Sequence, residues 1–126
     1  MPVHFSGLPT DQDKIYKLSK KYKFKIIEDA SHSLGAKYNN ENVGSCKWSD
    51  ISIFSFHAVK IITTFEGGAA ITNSKIVYEK LKLFLKIAAV LDCLLNCLFL
   101  LGGNQGHEPH SARIHLALRG FACWVP

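Results

Sequence analysis

Short apolar segments alternate with helix and turn signals over the first 86 residues, and this alternation constrains the fold more than any other feature of the chain. Apolar runs of strand length predict strands at residues 3–5, 23–28, 50–56 and 69–72. Helical spacing predicts helices after Thr10 and at residues 74–86. Connections of this length favour an α/β fold with a mostly parallel sheet and flanking helices.

Local signals refine the first half of this pattern. Thr10 is a candidate N-cap, and Asp13 stands three residues later in the capping-box position. One face of the predicted helix carries Ile15, Leu18 and Tyr22. The polar stretch at residues 38–42 predicts a turn that reverses the chain.

Lys60 is the first candidate for a chemical role. It follows the predicted strand 50–56 and is flanked by Val59, Ile61 and Ile62. Burial among such apolar neighbours would favour the neutral amine, which is the form that condenses with a carbonyl. Taken alone, the pattern is far more often that of a lysine that stays charged and solvated at the surface.

The segments around Lys60 add groups that suit a phosphorylated aldehyde cofactor. Ser55 lies near the end of the predicted strand, where its hydroxyl could donate a hydrogen bond to a phosphate oxygen. Gly67 and Gly68 permit positive φ or a close backbone approach before the next apolar run. The candidate site therefore spans a single connection between two strands.

A second group of polar residues follows the predicted strand 23–28. Asp29 stands at its end and His32 three residues later. Open α/β sheets bind ligands at the carboxyl ends of their strands, and a carboxylate there can keep a pyridine nitrogen protonated. The alternative is that Asp29 caps the following turn and His32 is a partly buried polar residue.

The motifs in order resemble those of the DegT/DnrJ/EryC1/StrS sugar aminotransferases, which are fold-type-I pyridoxal phosphate enzymes. The resemblance covers residues 2–86, and its segments are residues 2–7, 26–35, 43–46, 49–51 and 54–68. It implies that residues 1–86 form part of the cofactor-binding large domain of such an enzyme.

The resemblance also implies a role for each site residue. Lys60 would form the Schiff base with pyridoxal 5'-phosphate and carry protons, and Asp29 would pair with the pyridinium nitrogen. His32 would lie near the phenolic oxygen of the cofactor, and Ser55 would bind its phosphate. The implied reaction moves an amino group from glutamate to a nucleotide-linked 4-keto-6-deoxy sugar, in an enzyme that is a homodimer in the cytoplasm.

Two departures from the family pattern limit this expectation. Phe65 stands where relatives have a small residue, usually glycine, so the turn beside Lys60 is expected to differ. Family members are also much longer, with earlier segments that complete the cofactor site and a later small domain. We therefore expect a fragment that is inactive alone.

Composition changes at about position 86. All thirteen lysines lie at or before Lys86, whereas the later basic residues are Arg113 and Arg119. The change predicts that residues 87–126 are an unrelated tail, the product of a frameshift, with an apolar helix followed by disorder.

The alternative function is that of a short non-catalytic protein whose apolar tail binds a membrane or a partner. The apolar run at residues 87–101 falls short of the roughly twenty residues that a membrane span needs.

Charge and cysteine content exclude few classes of function. The net charge of +5 comes from lysines spread along a predicted helix, without the arginines and interleaved aromatics of a nucleic-acid surface. Four cysteines without a paired spacing fit a reducing cytoplasm rather than a disulfide framework. The segment at residues 107–110 lacks the helical spacing of a metal motif, so no metal site is predicted.

Overall fold

The computed structural model of the chain describes residues 1–65, 67–101 and 121–124. Its regular elements, in chain order, are α1 (Gln12–Tyr22), β1 (Ile27–Asp29), β2 (Lys37–Tyr38), β3 (Glu41–Asn42), β4 (Ile51–Ser55), β5 (Gly68–Ile71), α2 (Lys75–Leu101) and β6 (Phe121–Trp124). The segment at residues 107–110, both arginines and Glu66 of the Lys60 run lie outside the described residues.

Among the described residues the main sheet is mostly parallel, as predicted, because two of its three strand pairs are parallel. Its strand order is β1-β4-β5-β6. β1 and β4 are parallel, with Asp29 opposite Ile53, whereas β4 and β5 are antiparallel, with Ser55 opposite Gly68. The loop after β4 reverses the chain directly, and a connection without a crossover joins antiparallel neighbours. The β5–β6 pair is again parallel.

The predicted strand at residues 3–5 is reduced to one bridge between Val3 and Asp29. The His4 amide donates to the Asp29 carbonyl at 3.0 Å, and the Asp29 amide donates to the Pro2 carbonyl at 2.9 Å. A short 3-10 turn follows at Phe5–Gly7, in which Ser6 and Gly7 have φ of 52° and 82°. These left-handed conformations turn the chain away from the sheet edge.

Helix α1 has a different cap and a different buried face from those predicted. Asp11 is the N-cap and makes no capping hydrogen bond with its side chain, and Asp13 accepts a hydrogen bond from the Tyr38 hydroxyl at 2.5 Å. The buried residues of the helix are Gln12 and Ser19, whereas Leu18 and Tyr22 of the predicted apolar face are largely exposed. The buried residues of the helix are thus polar, which hydrophobic spacing does not reveal.

Strand β1 begins four residues later than predicted because the preceding segment has other partners. Lys23 ends α1 in the left-handed conformation. The Asp50 carboxylate accepts hydrogen bonds from Lys25 and from the Ile26 amide, both at 2.9 Å. Asp50 thereby ties the start of β4 to the start of β1.

The predicted polar turn at residues 38–42 is confirmed as a hairpin. β2 and β3 pair antiparallel across Asn39 and Asn40, which have φ of 49° and 63°. Asparagine tolerates this conformation better than most residues, so the sequence favours a two-residue turn.

The apolar core is small and lies on one face of the main sheet. Its buried centre is formed by Ala30, Val43 and Phe54. Partly buried apolar residues surround this centre: Leu34, Ala36, Phe56, Ala69 and Ile71. The core therefore supports the ends of β1 and β4.

Helix α2 extends well beyond the predicted 74–86 and crosses the position predicted to start an unrelated tail. Residues 121–124, for which disorder was predicted, form β6, which pairs with β5. In the part of the chain that the structure describes, no helix has the length and apolar character that crossing a membrane would require.

Candidate active site

The predicted site residues lie at one edge of the main sheet. Asp29 is the last residue of β1 and Ser55 is the last residue of β4. Because the two strands are parallel neighbours, their carboxyl ends meet at the same edge. Lys60 follows in the loop that leaves this edge.

The loop that carries Lys60 is closed at its base by backbone hydrogen bonds. The Phe56 amide donates to the Gly67 carbonyl at 2.8 Å, and the Thr64 amide donates to the Phe56 carbonyl at 3.0 Å. Inside the loop, the Lys60 amide donates to the His57 carbonyl at 2.9 Å. These bonds hold Lys60 in a tight turn just beyond β4.

A cleft of about 360 Å³ brings two of the predicted residues together. Its lining consists of Ser6, Ser31, His32, Val59, Lys60 and Ile61. Lys60 and His32 come from loops that follow different strands, so the sheet juxtaposes an amine and an imidazole. A concave site with a few convergent polar groups is typical of a small-molecule site.

Asp29 lies behind the cleft and is linked to it through Ser31. The Ser31 amide donates to Asp29 Oδ1 at 3.0 Å. A hydrogen bond from the Ser31 side chain lowers the pKa of Asp29 below its ordinary value, burial opposes this, and the charges of His32 and Lys60 lower it further. The carboxylate is therefore ionised at neutral pH and acts electrostatically on the cleft. The bond to Ser31 also makes Asp29 the cap of a turn, as the alternative reading expected.

His32 is held by an aromatic neighbour that the sequence did not indicate. The ring of Phe5 lies 5.6 Å from the imidazole, centroid to centroid, at an interplanar angle of 52°. Such a tilted arrangement is favourable for aromatic pairs. His32 is half-buried, so the contact orients an imidazole that remains accessible from the cleft.

The predicted apolar burial of Lys60 is not observed. Its neighbours Val59, Ile61 and Ile62 are 80%, 65% and 54% exposed. Val59 and Ile61 line the cleft beside Lys60, but their exposure shows that these side chains do not enclose the amine. Asp29 is the charged group that interacts with Lys60 across the site.

Ser55 lies outside the lining of the cleft. Its hydroxyl oxygen accepts a hydrogen bond from the His57 amide at 3.4 Å. Phe65 adopts φ of 73°, a conformation that glycine takes without strain. The small residue expected at this position would therefore suit the observed backbone.

Two residues of the cleft were not predicted as site residues. Ser6 reaches the cleft from the 3-10 turn, and Ser31 from the turn after β1. Ser31 had a recognisable signal, because an aspartate commonly accepts a hydrogen bond from the amide two residues later. Ser6 had none, since its position depends on the bridge between Val3 and Asp29.

The sequence profile of the DegT/DnrJ/EryC1/StrS aminotransferase family matches residues 1–92 of the 126. The chain belongs to this family. The match includes every residue of the candidate site and extends past position 86, where composition predicted an unrelated tail.

Similar DegT/DnrJ/EryC1/StrS proteins are named UDP-4-amino-4,6-dideoxy-N-acetyl-beta-L-altrosamine transaminases. The protein from Campylobacter jejuni is 52% identical over 81 residues, which are 64% of this chain and 21% of the relative. The protein from Helicobacter pylori is 44% identical over 82 residues, which are 65% of this chain and 21% of the relative. The chain thus spans about a fifth of the length of these relatives.

A solved structure of the family shares the fold. Helicobacter pylori PseC, an aminotransferase involved in the biosynthesis of pseudoaminic acid, matches with a TM-score of 0.62 and 44% identity. The match covers 65% of this chain and 22% of that one. The chain therefore has a mixed α/β fold that corresponds to part of the aminotransferase fold.

Proposed function

We propose that this chain provides the cofactor-anchoring part of a pyridoxal phosphate-dependent sugar aminotransferase. The observation that carries the proposal is the shared cleft of Lys60 and His32, with the ionised Asp29 carboxylate behind it. A primary amine can bind a pyridine aldehyde as a Schiff base, and a carboxylate can pair with its ring nitrogen. Membership of an aminotransferase family supports the same conclusion.

The residues present fit this cofactor. The Lys60 amine would hold it by its aldehyde carbon, and Asp29 would keep its ring nitrogen protonated. His32 would face the phenolic oxygen, oriented by Phe5. Ser55, which lies at the end of β4 but outside the lining of the cleft, would donate its hydroxyl to the phosphate.

When bound, the cofactor supplies an electron sink for bonds at the amino carbon. The chain then supplies proton transfer and charge. The Lys60 amine would act as the base that takes a proton from the carbon bearing the donor's amino group, and then as the acid that returns it. The Asp29 carboxylate would stabilise positive charge on the ring, because hydrogen bonds from Ser31 maintain its own charge.

The proposed acceptor is suggested by the names of the relatives, whereas the proposed amino donor follows from the family resemblance. The amino donor is glutamate, and the acceptor is a nucleotide-linked 4-keto-6-deoxy sugar. The Campylobacter jejuni relative is named for such an amino sugar. We further propose that the complete enzyme is a cytoplasmic homodimer, and that this chain retains a half-site without turnover.

The proposal is tested by trapping the lysine adduct. Purified protein is mixed with pyridoxal phosphate, reduced with borohydride and mapped by mass spectrometry. We expect the label to be concentrated at Lys60, and Lys60→Arg to abolish this site-selective labelling. The matched control is Lys37→Arg in β2, which removes an exposed lysine away from the cleft and should leave labelling at Lys60 intact. Labelling spread evenly over the lysines would refute an organised site.

A further inference from the structure

A buried polar cluster lies beneath β1, and the proposed chemistry does not use it. We call His4, Gln12 and Glu28 the His4 cluster. These residues are 0%, 5% and 2% exposed, so all three are effectively removed from water. Burying a carboxylate is costly unless hydrogen bonds compensate it. Successive residues of a strand point to opposite faces, so Glu28 and Asp29 point to opposite faces of β1.

The Glu28 carboxylate is compensated by N–H donors. Oε1 accepts a hydrogen bond from the Gly44 amide at 3.1 Å, and Oε2 lies 3.3 Å from both His4 Nε2 and Gln12 Nε2. On the other side of the imidazole, the Thr10 amide donates to His4 Nδ1 at 3.1 Å. Because Nδ1 accepts this backbone N–H, the ring proton is on Nε2, which faces both Glu28 Oε2 at 3.3 Å and the Gln12 carboxamide nitrogen at 2.9 Å.

The His4 cluster is joined to the site through the backbone on both sides of Asp29. The His4 amide donates to the Asp29 carbonyl at 3.0 Å, and the Asp29 amide donates to Pro2 at 2.9 Å. The next residue, Ala30, donates to the Ile53 carbonyl of β4 at 2.8 Å. Asp29 is therefore held between β4 and the segment at residues 2–4. Within that segment, His4 is the buried side chain.

His4 also positions the residues that form another side of the cleft. Phe5, which contacts the His32 ring, and Ser6, which lines the cleft, directly follow His4. Gly7 completes the turn so closely that an added Cβ would lie 3.2 Å from the His32 carbonyl oxygen. A displacement of His4 would therefore move both Asp29 and the contact on His32.

We propose that Glu28 is a positioning residue of the site, whose buried carboxylate acts through His4 to hold Asp29 and the Phe5–Gly7 turn in place. The cofactor role of that site rests on the proposed function, but the positioning itself can be measured without cofactor. The competing explanation is that Glu28 contributes to stability alone.

The direction in which the pKa of Asp29 changes when Glu28 is substituted distinguishes these two explanations. The charged groups that act on Asp29 are His32 and Lys60, and Glu28 is its neighbour in the chain. Removing a negative charge at Glu28 would, through space alone, lower the pKa of Asp29 further. Loss of positioning would weaken the hydrogen bonds from Ser31 and raise the pKa of Asp29 instead.

The first experiment uses the full chain without cofactor and the isosteric variant Glu28→Gln. Carboxyl NMR titration should show a raised pKa of Asp29, and amide exchange at His4 and Asp29 should accelerate about tenfold or more. The matched control is Thr72→Val, which removes the buried hydrogen bond of Thr72 to the Asp50 carbonyl. It should destabilise the fold and leave the Asp29 titration unchanged. A pKa of Asp29 that is unchanged or lowered in Glu28→Gln overturns the proposal.

A double variant tests whether a carboxylate at position 12 can replace the carboxylate of Glu28. In Gln12→Glu/Glu28→Gln the carboxylate and the carboxamide exchange positions within the His4 cluster, since the two side chains are 3.3 Å apart. The double variant should recover the Asp29 titration of the unchanged chain. A double variant that titrates like Glu28→Gln would count against the proposal. If Glu28→Gln does not fold, Gln12→Ala removes one contact to Glu28 and should shift Asp29 in the same direction by a smaller amount.

The two proposals fail in different ways. If the unchanged chain shows no selective labelling of Lys60 by pyridoxal phosphate, the proposed function is wrong. The Asp29 titration and the amide exchange do not depend on that result. These two measurements test only the role of Glu28.

Discussion

Gly44 lies between β1 and the core, where a side chain has no room. Its amide donates to Glu28 Oε1 at 3.1 Å, and its φ is 90°. A Cβ at this position would overlap the ring of Phe54. Phe54 is itself part of the buried core, so the ring has little freedom to move away.

We therefore expect Gly44→Ala to destabilise the fold by about 3 kcal/mol, from overpacking together with backbone strain. The matched control is Gly35→Ala, because Gly35 has φ of 82° but no atom within 4 Å of an added Cβ. That variant carries the strain without the overlap and should cost about 1 kcal/mol. Urea unfolding of both variants measures the difference, and equal losses would contradict the packing argument.

At the scale of single elements, the end of α1 shows how a helix is terminated by a residue poorly suited to the position. Lys23 has φ of 57° and ψ of 38°, and the Phe24 amide donates to the Ser19 carbonyl at 3.2 Å. This arrangement is a left-handed helix end, where glycine is strongly preferred because it has no Cβ. The lysine is exposed, so its side chain gains little from packing there.

Lys23→Gly is expected to stabilise the chain by about 1 kcal/mol, because it removes the steric strain of the left-handed conformation. Lys20→Gly is the matched control, an exposed lysine inside the same helix, and it should destabilise by about 1 kcal/mol. Thermal unfolding of the two variants checks the opposite signs. A loss of stability in both would mean that Lys23 is not strained.

At the scale of the whole molecule, aspartates join elements that are distant in the chain. Asp50 links β4 to the segment before β1 through Lys25 and the Ile26 amide. Burial opposes ionisation of Asp50, but these hydrogen bonds and the charge of Lys25 hold its pKa below the ordinary 3.8. The pKa of Asp29 is lowered as well, chiefly by Ser31.

These shifts predict loss of stability in acid. A carboxyl whose folded pKa lies below its unfolded pKa contributes stability above the unfolded value of 3.8, and this contribution is lost as pH falls through the folded pKa. Urea midpoints measured from about pH 7 to about pH 2 should therefore fall below about pH 4. Asp50→Asn should be less stable at neutral pH and should show a shallower acid decline. An equally steep decline in this variant would exclude Asp50 as a contributor.

The local features of this protein follow from short stretches of its sequence. Lys60, Asp29 and His32 follow predicted strands, and their order in the sequence indicates the family. The hairpin at residues 38–42 was also predictable, since its two asparagines favour the turn on their own. In each case the information lies within a few residues.

Contacts between residues that are distant in the chain are established by folding and are not visible in the sequence. His4 and Glu28 are 24 residues apart in the chain, and neither is marked by periodicity as a partner of the other. The same holds for Ser6 in the cleft, for the polar buried face of α1 and for the antiparallel β4–β5 pair. Hydrophobic patterns report which residues avoid water, whereas these features depend on hydrogen bonds between segments that only folding brings together.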